Sequence, residues 1–459
     1  MDKKRIYYLE NLGCAKNQVD AEVMIAALDD RGWTRTMEPV HAGLIIINTC
    51  GFIEPAKEES VDVLISFRDA FPDAAVIAAG CLSQRYAEDL AESMPELDGI
   101  FGNNSVSMIA DYADRLVSGE PQIVRAPALS EIEPKFIERD DVLAVGRTTL
   151  LSGSSTAYVK LAEGCSNNCS FCAIPIIRGT LRSRKPESIL DEIKNLAGSG
   201  IREINLIAQD LGSYGIDIDK KGRCLLPQLL KDIEKISGDF FVRMLYIHPD
   251  NFPLDILDIC SESDRIVSYF DIPFQHASAP VLYSMNRSGD AEIYMELLQK
   301  IRAKLPDAVI RTTFLLGFPG EKKKDVEVLE RFIRAAEIEW AGFFAFSREE
   351  DTAAYEMEGP RKHKRRFREA EKNVEQLQEI QTAITAKSLS RFVGRSFSLL
   401  VEEGVEEEDL YLCRAWFQAP EVDGLVVLHA EENYLNPGDF VEAEITGING
   451  IDLEARLKK

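Results

Sequence analysis

The alternation of short apolar runs with helical stretches is the feature that most limits how this chain can fold. In residues 1–125, β-branched apolar runs at 5–12, 44–47 and 75–79 alternate with helical patterns, for example at 20–30 and 55–67. Glycines at positions 13, 51 and 80 mark the turns. Strand-helix alternation predicts a parallel sheet with helices on its faces. We therefore expect an open, parallel-sheet α/β domain at the N-terminus.

The alternation resumes after residue 155 with longer helical segments. Apolar runs lie at 158–161, 204–208, 241–247, 266–271, 309–316 and 342–346. Successive βα units over residues 155–388 predict a whole or partial (β/α) barrel, with its chemistry at the carboxyl ends of the strands. Residues 126–154 lose this rhythm and run into LLSGSS, so we expect a linker there.

A long helix is predicted at 360–390, and it opens with the basic run RKHKRR. Positive charge at a helix start opposes the helix dipole, so the run either meets a partner or is a solvated face. After residue 392, short alternating strands separated by Gly, Pro and Asn turns predict a small antiparallel β-barrel over residues 389–459. The whole chain is thus predicted to be α/β with three domains.

The composition limits the function classes. The net charge of −24 argues against a nonspecific nucleic-acid binder and favours a basic partner, although acidity also serves solubility alone. The sequence has no apolar stretch of secretory or membrane-spanning length, so we expect a soluble, cytoplasmic protein without a membrane partner. In that reducing compartment, the nine cysteines are better interpreted as metal ligands, reactive thiols or core residues than as disulfides.

Three cysteines stand together in GCSNNCSFCAIP, directly after the predicted strand at 158–161. Cys165, Cys169 and Cys172 form a C-x3-C-x2-C pattern. Three thiolates on one loop can bind three irons of a cubane cluster and leave the fourth iron open for a reacting ligand. A zinc site would need a fourth ligand, and no further Cys or His lies near this loop in the sequence. A loop rich in Gly, Ser and Asn is a poor place to bury three thiols, so we predict an iron-sulfur site.

A second set of cysteines is dispersed through the N-terminal domain. Cys14, Cys50 and Cys81 lie in LGCAKN, NTCGF and AGCLSQR, each after one of the three apolar runs. Because the carboxyl ends of parallel strands converge on one crevice, these three residues are predicted to meet in space. Scattered core cysteines would not all be expected at strand ends. We therefore predict a second iron-sulfur cluster here.

The first cysteine loop, with the aromatic Phe171 before its last cysteine, resembles the defining loop of the radical S-adenosylmethionine (SAM) superfamily. The resemblance implies that SAM chelates the open iron and yields a 5′-deoxyadenosyl radical on one-electron reduction. With the second cysteine set and the small C-terminal barrel, the chain resembles the methylthiotransferase family over essentially its whole length. The matching segments are ENLGCAKNQVD, INTCGFIEPAKEES, EGCSNNCSFCAIPIIRG, IAQDLGSYG, DIPFQHAS, LLGFPGE and FSREEDTAA.

This resemblance implies an enzyme that replaces an inert C–H bond by C–S–CH3, with two 4Fe-4S clusters and SAM as cofactors. One SAM would methylate a sulfur associated with the auxiliary cluster on Cys14, Cys50 and Cys81, and a second would supply the radical at the Cys165 loop. The C-terminal barrel, residues 392–457, resembles the family's TRAM domain. A reductant protein such as flavodoxin or ferredoxin is implied as a partner.

Members of this family act either on tRNA adenosines or on an aspartate of ribosomal protein S-twelve. Ala15 and Lys16 resemble the ribosomal-protein group, since the tRNA group typically has Gln and Met there. Residues 391–459 contain 6 Lys and Arg against 15 Asp and Glu, a net charge of −9, with EEEDL at 406–410. Such a barrel would repel phosphate and attract a basic protein.

We therefore predict methylthiolation of the β-carbon of an S-twelve aspartate, with nucleic acid not the main partner. A tRNA adenosine methylthiotransferase is the alternative, and a noncatalytic zinc or RNA-binding protein is the alternative from another class.

Four residues outside the cysteines are predicted to contact the cofactor. Phe171 packs on the adenine of SAM or anchors its loop to the barrel. Gln209 and Asp210 end the second barrel strand, where a family member would contact the amino group of SAM, although the superfamily's Gly-Gly-Glu signature is absent. Gly317, like Gly320, permits close backbone approach or simply a tight turn.

Three further polar residues and three cysteines have no assigned role. Gln275 and His276 follow a strand and face the site, but His276, like His248, is equally well explained as a core histidine. Cys224, Cys260 and Cys413 fit no constellation, and we interpret them as incidental.

Overall fold

The computed structural model describes residues 5–118, 147, 149–153, 155–405, 409–430 and 434–458. The predicted linker at 126–154 therefore lies almost entirely outside the described residues, as does most of the acidic run at 406–410.

The N-terminal domain is built on a five-stranded parallel sheet. Its strands are β1 (Ile6–Asn11), β2 (Thr34–Arg35), β3 (Leu44–Thr49), β4 (Ala75–Gly80) and β5 (Gly99–Phe101), and its helices are α1 (Ala15–Asp30), α2 (Glu54–Ala70), α3 (Cys81–Arg85), α4 (Ala87–Ser93) and α5 (Ile109–Val117). β3 is buried along its whole length, as its uninterrupted apolar run requires between two helical layers. The strand order β2-β1-β3-β4-β5 changes direction between β1 and β3, which opens a crevice at their carboxyl ends.

The central domain is a partial barrel. Its six main strands are β6 (Thr156–Lys160), β9 (Glu203–Ile207), β10 (Phe241–Met244), β11 (Ile266–Asp271), β12 (Val309–Leu316) and β13 (Trp340–Ala345), and a two-stranded ribbon consists of β7 (Ala162–Glu163) and β8 (Arg182–Ser183). The main strands are parallel and pair in sequence order from β6 to β13 without closing. The helices are α6 (Ile174–Arg178), α7 (Pro186–Gly198), α8 (Leu226–Ile233), α9 (Ile256–Glu262), α10 (Ala279–Ser284), α11 (Ala291–Lys304), α12 (Lys323–Ala336) and α13 (Pro360–Leu389).

The C-terminal domain is a closed five-stranded barrel of β14 (Ser396–Gly404), β15 (Leu410–Arg414), β16 (Val426–His429), β17 (Phe440–Asn449) and β18 (Asp452–Leu457). Four of its pairings are antiparallel, but β16 and β18 run parallel. A ring with an odd number of strands cannot alternate direction throughout, so one parallel pair is unavoidable. The predicted barrel is confirmed, and this pairing is the one departure from an antiparallel pattern.

Buried polar contacts join the C-terminal barrel to the central domain. Glu203, at the start of β9, is enclosed between Arg243 and Arg414. The indole of Trp340 donates to the carbonyl of Phe417 at 3.2 Å. Apolar side chains from both domains, among them Tyr269 and Phe417, share one core. The C-terminal barrel is therefore packed tightly against the central sheet.

Charged side chains on α1 hold the N-terminal domain against the central domain. Asp20 contacts Lys160 of β6 and Arg178, while Glu22 contacts Arg147. All of these side chains are almost fully enclosed. Breaking such a buried pair is costly, since it leaves the remaining charge unsolvated. Among the described helices, none combines the length and apolar character needed to span a membrane.

Candidate functional site

The structure places Cys50 and Cys81 directly after β3 and β4, and Cys14 three residues after the end of β1. These three strands are neighbours in the sheet. The segments touch one another. A Cβ built on Gly13 would lie 3.0 Å from the Cβ of Cys50, and one built on Gly51 would lie 2.8 Å from the backbone of Leu82. The parallel sheet therefore brings together three cysteines that are far apart in sequence.

Asn17 ties these three segments to each other. Its amide donates to the carbonyls of Leu12 and Thr49 at 3.0 and 2.9 Å, which lie at the ends of β1 and β3. Its carbonyl oxygen accepts from the thiol of Cys81 at 3.2 Å. Ser60 of α2 adds a second tie, because its hydroxyl bonds both the N–H and the carbonyl of Cys50. The backbone around the cysteines is thus fixed by buried side chains.

The three thiols differ in environment. Cys81 is buried, Cys50 is half-buried, and Cys14 is accessible to solvent at a position that other parts of the protein surround. Burial raises the pKa of Cys50 to about 12, with the nearby thiols of Cys81 and Cys14 adding to the shift. Burial also acts to raise the pKa of Cys14, but the charges of Lys16 and Arg178 outweigh it and lower that pKa.

Arg178 joins this site to the central domain. Its guanidinium lies 3.2 Å from the sulfur of Cys81, 2.8 Å from Asn17 and 2.9 Å from Asp20, while its other amino group contacts Glu163. Arg178 ends α6, which begins two residues after Cys172. One cation of the central domain therefore contacts a cysteine of the N-terminal set.

Apolar contact supports the same junction. Cys81 packs in one small cluster with Ala173 and Ile177, and Ala173 follows Cys172 directly in the chain. Deeper in the interface, Arg85 of the AGCLSQR segment and Lys57 both contact the buried carboxylate of Glu349. The interface thus brings Lys57 and Arg85 of the N-terminal domain against Glu349 of FSREEDTAA.

The loop that carries Cys165, Cys169 and Cys172 follows β6 and β7, as predicted. It is anchored by backbone contacts, including the Cys165 N–H to the Gly179 carbonyl at 3.1 Å. Asn168 adopts a left-handed conformation with φ 54°, and the amide of Asn286 donates to its carbonyl at 2.8 Å. Each thiol is half-buried, and burial raises the pKa of Cys165 to about 11 and that of Cys172 to about 12.

Arg287 and His248 flank Cys169. The guanidinium of Arg287 lies 3.7 Å from its sulfur and is held by the carbonyl of Pro273 at 2.6 Å, and the Nε2 of His248 lies 3.9 Å away. Burial lowers the pKa of His248 to about 4, so the ring is neutral at pH 7. Arg287 therefore supplies the fixed positive charge at this loop.

Asp210 and Gln209, the predicted contacts for the amino group of SAM, have very different surroundings. The Asp210 carboxylate accepts from Asn167, Asn251 and Ser213, and from two backbone N–H groups. Asp210 is fully engaged by these hydrogen bonds, and it supports the cysteine loop through Asn167. The amide of Gln209 is enclosed, and neither of its polar atoms has a hydrogen-bond partner among the described residues. An unpaired buried amide is costly to keep, so this one suits a polar ligand.

The other predicted cofactor contacts lie close to the loop. The ring of Phe171 packs edge-on against Phe318, with 6.5 Å between centroids. Gly317 has φ +76°, and a Cβ there would lie 2.6 Å from that of Ala370 on α13. Position 317 therefore requires glycine, because α13 approaches too closely to leave room for a side chain.

The residues without an assigned role lie in the protein interior. His276 is fully buried, and its Nδ1 accepts the N–H groups of Ala277 and Ser278, an arrangement that fits a core histidine. Gln275 adopts φ 68° and pairs through its backbone with β12. Of the three remaining cysteines, Cys260 and Cys413 are buried in separate domains and Cys224 is half-buried.

Sequence reasoning missed the charged and amide groups around the thiols, chiefly Asn17, Arg178 and Arg287. From the sequence, Lys16 is recognised only as a residue typical of the ribosomal-protein group. Its ammonium lies 3.0 Å from the ring centroid of Tyr246, which follows β10 with φ 69°. Burial lowers the pKa of Lys16 to about 8, against the opposing charges of Cys14 and Asp271. Lys16 therefore reaches from the N-terminal domain to the carboxyl end of the central sheet.

Within the described residues, no three His, Cys, Asp or Glu side chains lie close enough to hold a single metal ion. A cubane cluster makes a different demand, because each thiolate binds its own iron. The cations beside Cys81 and Cys169 fit such a negatively charged group. Both cysteine sets therefore have the donor chemistry of a cluster site.

Three family models match separate parts of the chain. Residues 6–102 match the uncharacterized protein family UPF0004, residues 159–333 the radical SAM superfamily, and residues 393–457 the TRAM domain. Among solved structures, the radical SAM methyltransferase TsrM from Kitasatospora setae has a TM-score of 0.56 at 15% identity, covering 74% of this chain and 72% of that one. The fold and these matches define a radical SAM protein with an added N-terminal domain and a TRAM barrel.

The relatives narrow this class to one family. The chain is 42% identical to the ribosomal protein uS12 methylthiotransferase RimO of Treponema denticola, over 96% of this chain and 98% of the relative. It is 39% identical to the protein of the same name from Aquifex aeolicus, over 97% and 96% of the two chains. The chain therefore belongs to the ribosomal protein uS12 methylthiotransferase family.

Proposed function

We propose that this chain adds a methylthio group to the β-carbon of an aspartate in ribosomal protein S-twelve. The observation that carries the proposal is the junction between the two cysteine sets, where Arg178 and Ala173 of the central domain contact Cys81 of the N-terminal domain. Forming a carbon-sulfur bond at an unactivated carbon needs a radical source and a sulfur source that face one substrate. The interface supports this arrangement, because the two domains that carry the cysteine sets meet there.

The cofactors that fit are two 4Fe-4S clusters, one on Cys14, Cys50 and Cys81 and one on Cys165, Cys169 and Cys172, together with SAM. When bound, these groups supply the radical that activates the C–H bond, and the sulfur and methyl group that replace its hydrogen. Two SAM molecules are used in each turnover, one as methyl source and one as radical source. The unpaired amide of Gln209 is available to hydrogen-bond SAM beside the Cys165 loop.

The chain's own residues position these groups. Arg178 beside Cys81 and Arg287 beside Cys169 each place a fixed positive charge near a thiolate ligand, which favours the charged form of the sulfur. Asp210 holds Asn167 and thereby the cysteine loop. These side chains hold the two sites in fixed positions on either side of the interface.

Lys16 supports an aspartate as the reacting residue. Its ammonium lies near Cys14 and is held over the ring of Tyr246, where α1 meets the carboxyl end of the central sheet. A half-buried cation attracts a substrate carboxylate, whereas a neutral adenine offers it no charge. The acidic TRAM barrel would attract the basic S-twelve protein in the same way.

Replacement of each cysteine set separately tests the cofactor assignment. After anaerobic reconstitution, the Cys14→Ala, Cys50→Ala, Cys81→Ala variant and the Cys165→Ala, Cys169→Ala, Cys172→Ala variant should each retain about half of the wild-type iron and sulfide. Only the first should still cleave SAM to 5′-deoxyadenosine on reduction. The matched control replaces Cys224, Cys260 and Cys413, and it should keep all of the iron.

Mass spectrometry tests the substrate. Reduced enzyme with SAM should add one methylthio group to an aspartate of S-twelve, in the free protein or in small subunits, and should leave tRNA unchanged. Methylthioadenosine in tRNA together with unmodified S-twelve would establish the RNA alternative. A colourless protein that never cleaves SAM would show that the chain is not an enzyme of this class.

A further inference from the structure

The first half of α13 carries a row of exposed basic side chains, here called the α13 stripe: Arg361, Lys364, Arg365, Arg368 and Lys372. Their spacing of three, four and seven residues puts them on one face of the helix. They form no ion pair with any residue that the structure describes. Such a concentration of unpaired positive charge stands out in a chain of net charge −24.

The neighbouring cations on α13 are already engaged. Lys362 and Arg366 both pair with the buried carboxylate of Glu358, and Arg366 also donates to the carbonyl of Glu321. Among the residues that the structure describes, Glu369 is the only acidic one lining the groove along the stripe. The helix therefore separates cations that hold it to the central domain from cations that face solvent.

A continuous series of ring contacts connects the stripe to the Cys165 loop. Phe171, which precedes Cys172, contacts Phe318, with 6.5 Å between ring centroids. Phe318 contacts Phe346 at 5.2 Å, and Phe346 contacts His363 at 5.7 Å. His363 stands between the first two cations of the stripe in the helix. Packed aromatic side chains thus link the helix segment that carries the stripe to the cysteine loop.

We propose that the α13 stripe is the docking surface for an acidic one-electron carrier protein of the flavodoxin class. The inference rests on the proposed function, because it requires a redox cluster on the Cys165 loop. The anionic flavin hydroquinone of the carrier loses one electron and becomes the neutral semiquinone. The cluster gains that electron, changing from the 2+ to the 1+ state, and no bond or proton is transferred.

Charge and position favour an electron carrier over the other partners. The basic substrate protein would be repelled by the stripe. An RNA strand would be attracted by it, but the stripe is only about 16 Å long, at 1.5 Å per residue, and the TRAM barrel, with a net charge of −9 over residues 391–459, would repel its phosphates. A short patch close to a redox site matches a small acidic carrier.

Charge reversal tests the proposal, with flavodoxin as the probe. The Arg361→Glu, Lys364→Glu, Arg368→Glu variant should fold normally, because these side chains are exposed and acidic residues favour the start of a helix. Titration calorimetry at low ionic strength should show flavodoxin binding weakened by at least about tenfold. In stopped-flow measurements, cluster reduction by flavodoxin hydroquinone should slow in parallel, while reduction by dithionite stays unchanged.

The matched control is Lys231→Glu, Lys235→Glu, Lys300→Glu, three exposed cations near the carboxyl ends of α8 and α11. Those ends lie at the opposite end of the barrel from the cysteine loop, since the helices run antiparallel to the strands. The control variant should stay within about twofold of wild type in flavodoxin affinity, because only local charge is changed.

Three results would overturn the docking proposal: no flavodoxin binding to the wild-type enzyme, equal losses in the two variants, or loss of RNA binding with flavodoxin reduction intact. Its failure is separable from failure of the proposed function. Enzyme reduced by dithionite bypasses the carrier, so absence of S-twelve methylthiolation under that condition counts against the function alone.

Discussion

Arg178 contacts groups of both domains at the interface between the N-terminal and central domains. Its planar guanidinium reaches Asn17, Asp20, Glu163 and the sulfur of Cys81 at once. A lysine ammonium has no such fork of donors and cannot satisfy all four acceptors. The residue therefore combines a structural role between the domains with a role beside the auxiliary cysteines.

We predict that Arg178→Lys lowers the iron content of the reconstituted protein toward one cluster per chain, with the loss confined to the auxiliary site. Fewer hydrogen bonds would fix Cys81, and buried Asp20 and Glu163 would be left partly unpaired. Iron and sulfide analysis with electron paramagnetic resonance measures this. The control is Arg184→Lys, an equally buried arginine that pairs with Glu192 away from the cysteines. Equal iron loss in both variants would contradict the prediction.

Glu203 makes the stability of the interface between the central sheet and the TRAM barrel dependent on pH. Burial acts to raise its pKa, but the charges of Arg414 and Arg243 outweigh this and bring the pKa to about 2, from an ordinary value of 4.5. The carboxylate is charged in the folded state over a pH range where the unfolded chain is protonated. Its contribution to stability is thus complete above pH 4.5 and is lost as the pH falls toward 2.

Glu203→Gln should lower the free energy of unfolding at pH 7 by about 3–5 kcal/mol, because buried Arg243 loses its carboxylate partner and buried Arg414 keeps only Glu402. The difference from wild type should shrink as the pH falls below 4.5. The measurement is urea unfolding monitored by tryptophan fluorescence, because Trp340 and Trp416 lie at this interface. The more exposed Glu402→Gln is the control and should cost less than about 1 kcal/mol. A difference that grows at low pH would refute the assignment.

At the residue scale, the cysteines could be predicted because each is marked locally, by its loop pattern or by its place after an apolar run. Arg178 and Cys81 are separated by 97 positions, and nothing in either segment indicates that they meet. Arg287 lies 118 residues from Cys169 in the same way. Such contacts depend on domain packing, so single-sequence patterns do not reveal them.

Helix α13 is the element that most constrains the barrel near the site. It approaches the turn after β12 so closely that residue 317 has no room for a side chain. The side-chain amide of Gln381, in the later part of the helix, donates to the carbonyl of Ile338 at 2.8 Å. This bond holds the helix against the segment that precedes β13. The position of the α13 stripe relative to the cysteine loop follows from these contacts.

Gly317→Ala should destabilise the protein by about 1–3 kcal/mol, from the positive φ and from the contact with Ala370. The double variant with Ala370→Gly should recover the steric part but not the backbone strain. Urea unfolding of the two single variants and the double variant gives the coupling energy, expected near 1 kcal/mol. Strictly additive effects would show that α13 yields to the added methyl group.

Element positions were predicted well where the apolar pattern is unbroken. The expected strands at 266–271 and 309–316 have the bounds of β11 and β12. Helix α1 begins at Ala15, five residues before the predicted start, because Cys14 takes the N-cap position with no side-chain cap to mark it. Helix starts are recognised by Ser, Thr, Asp or Asn caps, and this one lacks that signal.

At the scale of the whole molecule, acidic side chains dominate the outer surface of the TRAM barrel. Glu442 and Glu444 alternate outward along β17, and Glu403 is exposed at the end of β14. The fold class and the three-domain order were predictable from periodicity. The way the domains pack was not, since buried charges such as Lys160 and Asp20 are unremarkable in the sequence.

Glu403→Gln, Glu442→Gln, Glu444→Gln should weaken binding of the S-twelve protein by about tenfold at low ionic strength, because the attraction between opposite charges is reduced. The effect should fade as salt is added. Fluorescence anisotropy with labelled S-twelve measures both. The control removes three exposed charges of the N-terminal domain, Asp62, Asp69 and Asp73, by replacement with Asn. Equal weakening in the two variants would assign the effect to net charge alone.

The dispersed origin of the N-terminal cysteines makes their proposed cluster dependent on tertiary structure. The Cys165 loop gathers its three thiols within eight positions, so its proposed cluster needs only local chain geometry. Cys14, Cys50 and Cys81 become neighbours only when β1, β3 and β4 have paired. Unfolding of the N-terminal domain would therefore disperse the ligands of the first centre, whereas the ligands of the second would stay together on one short segment.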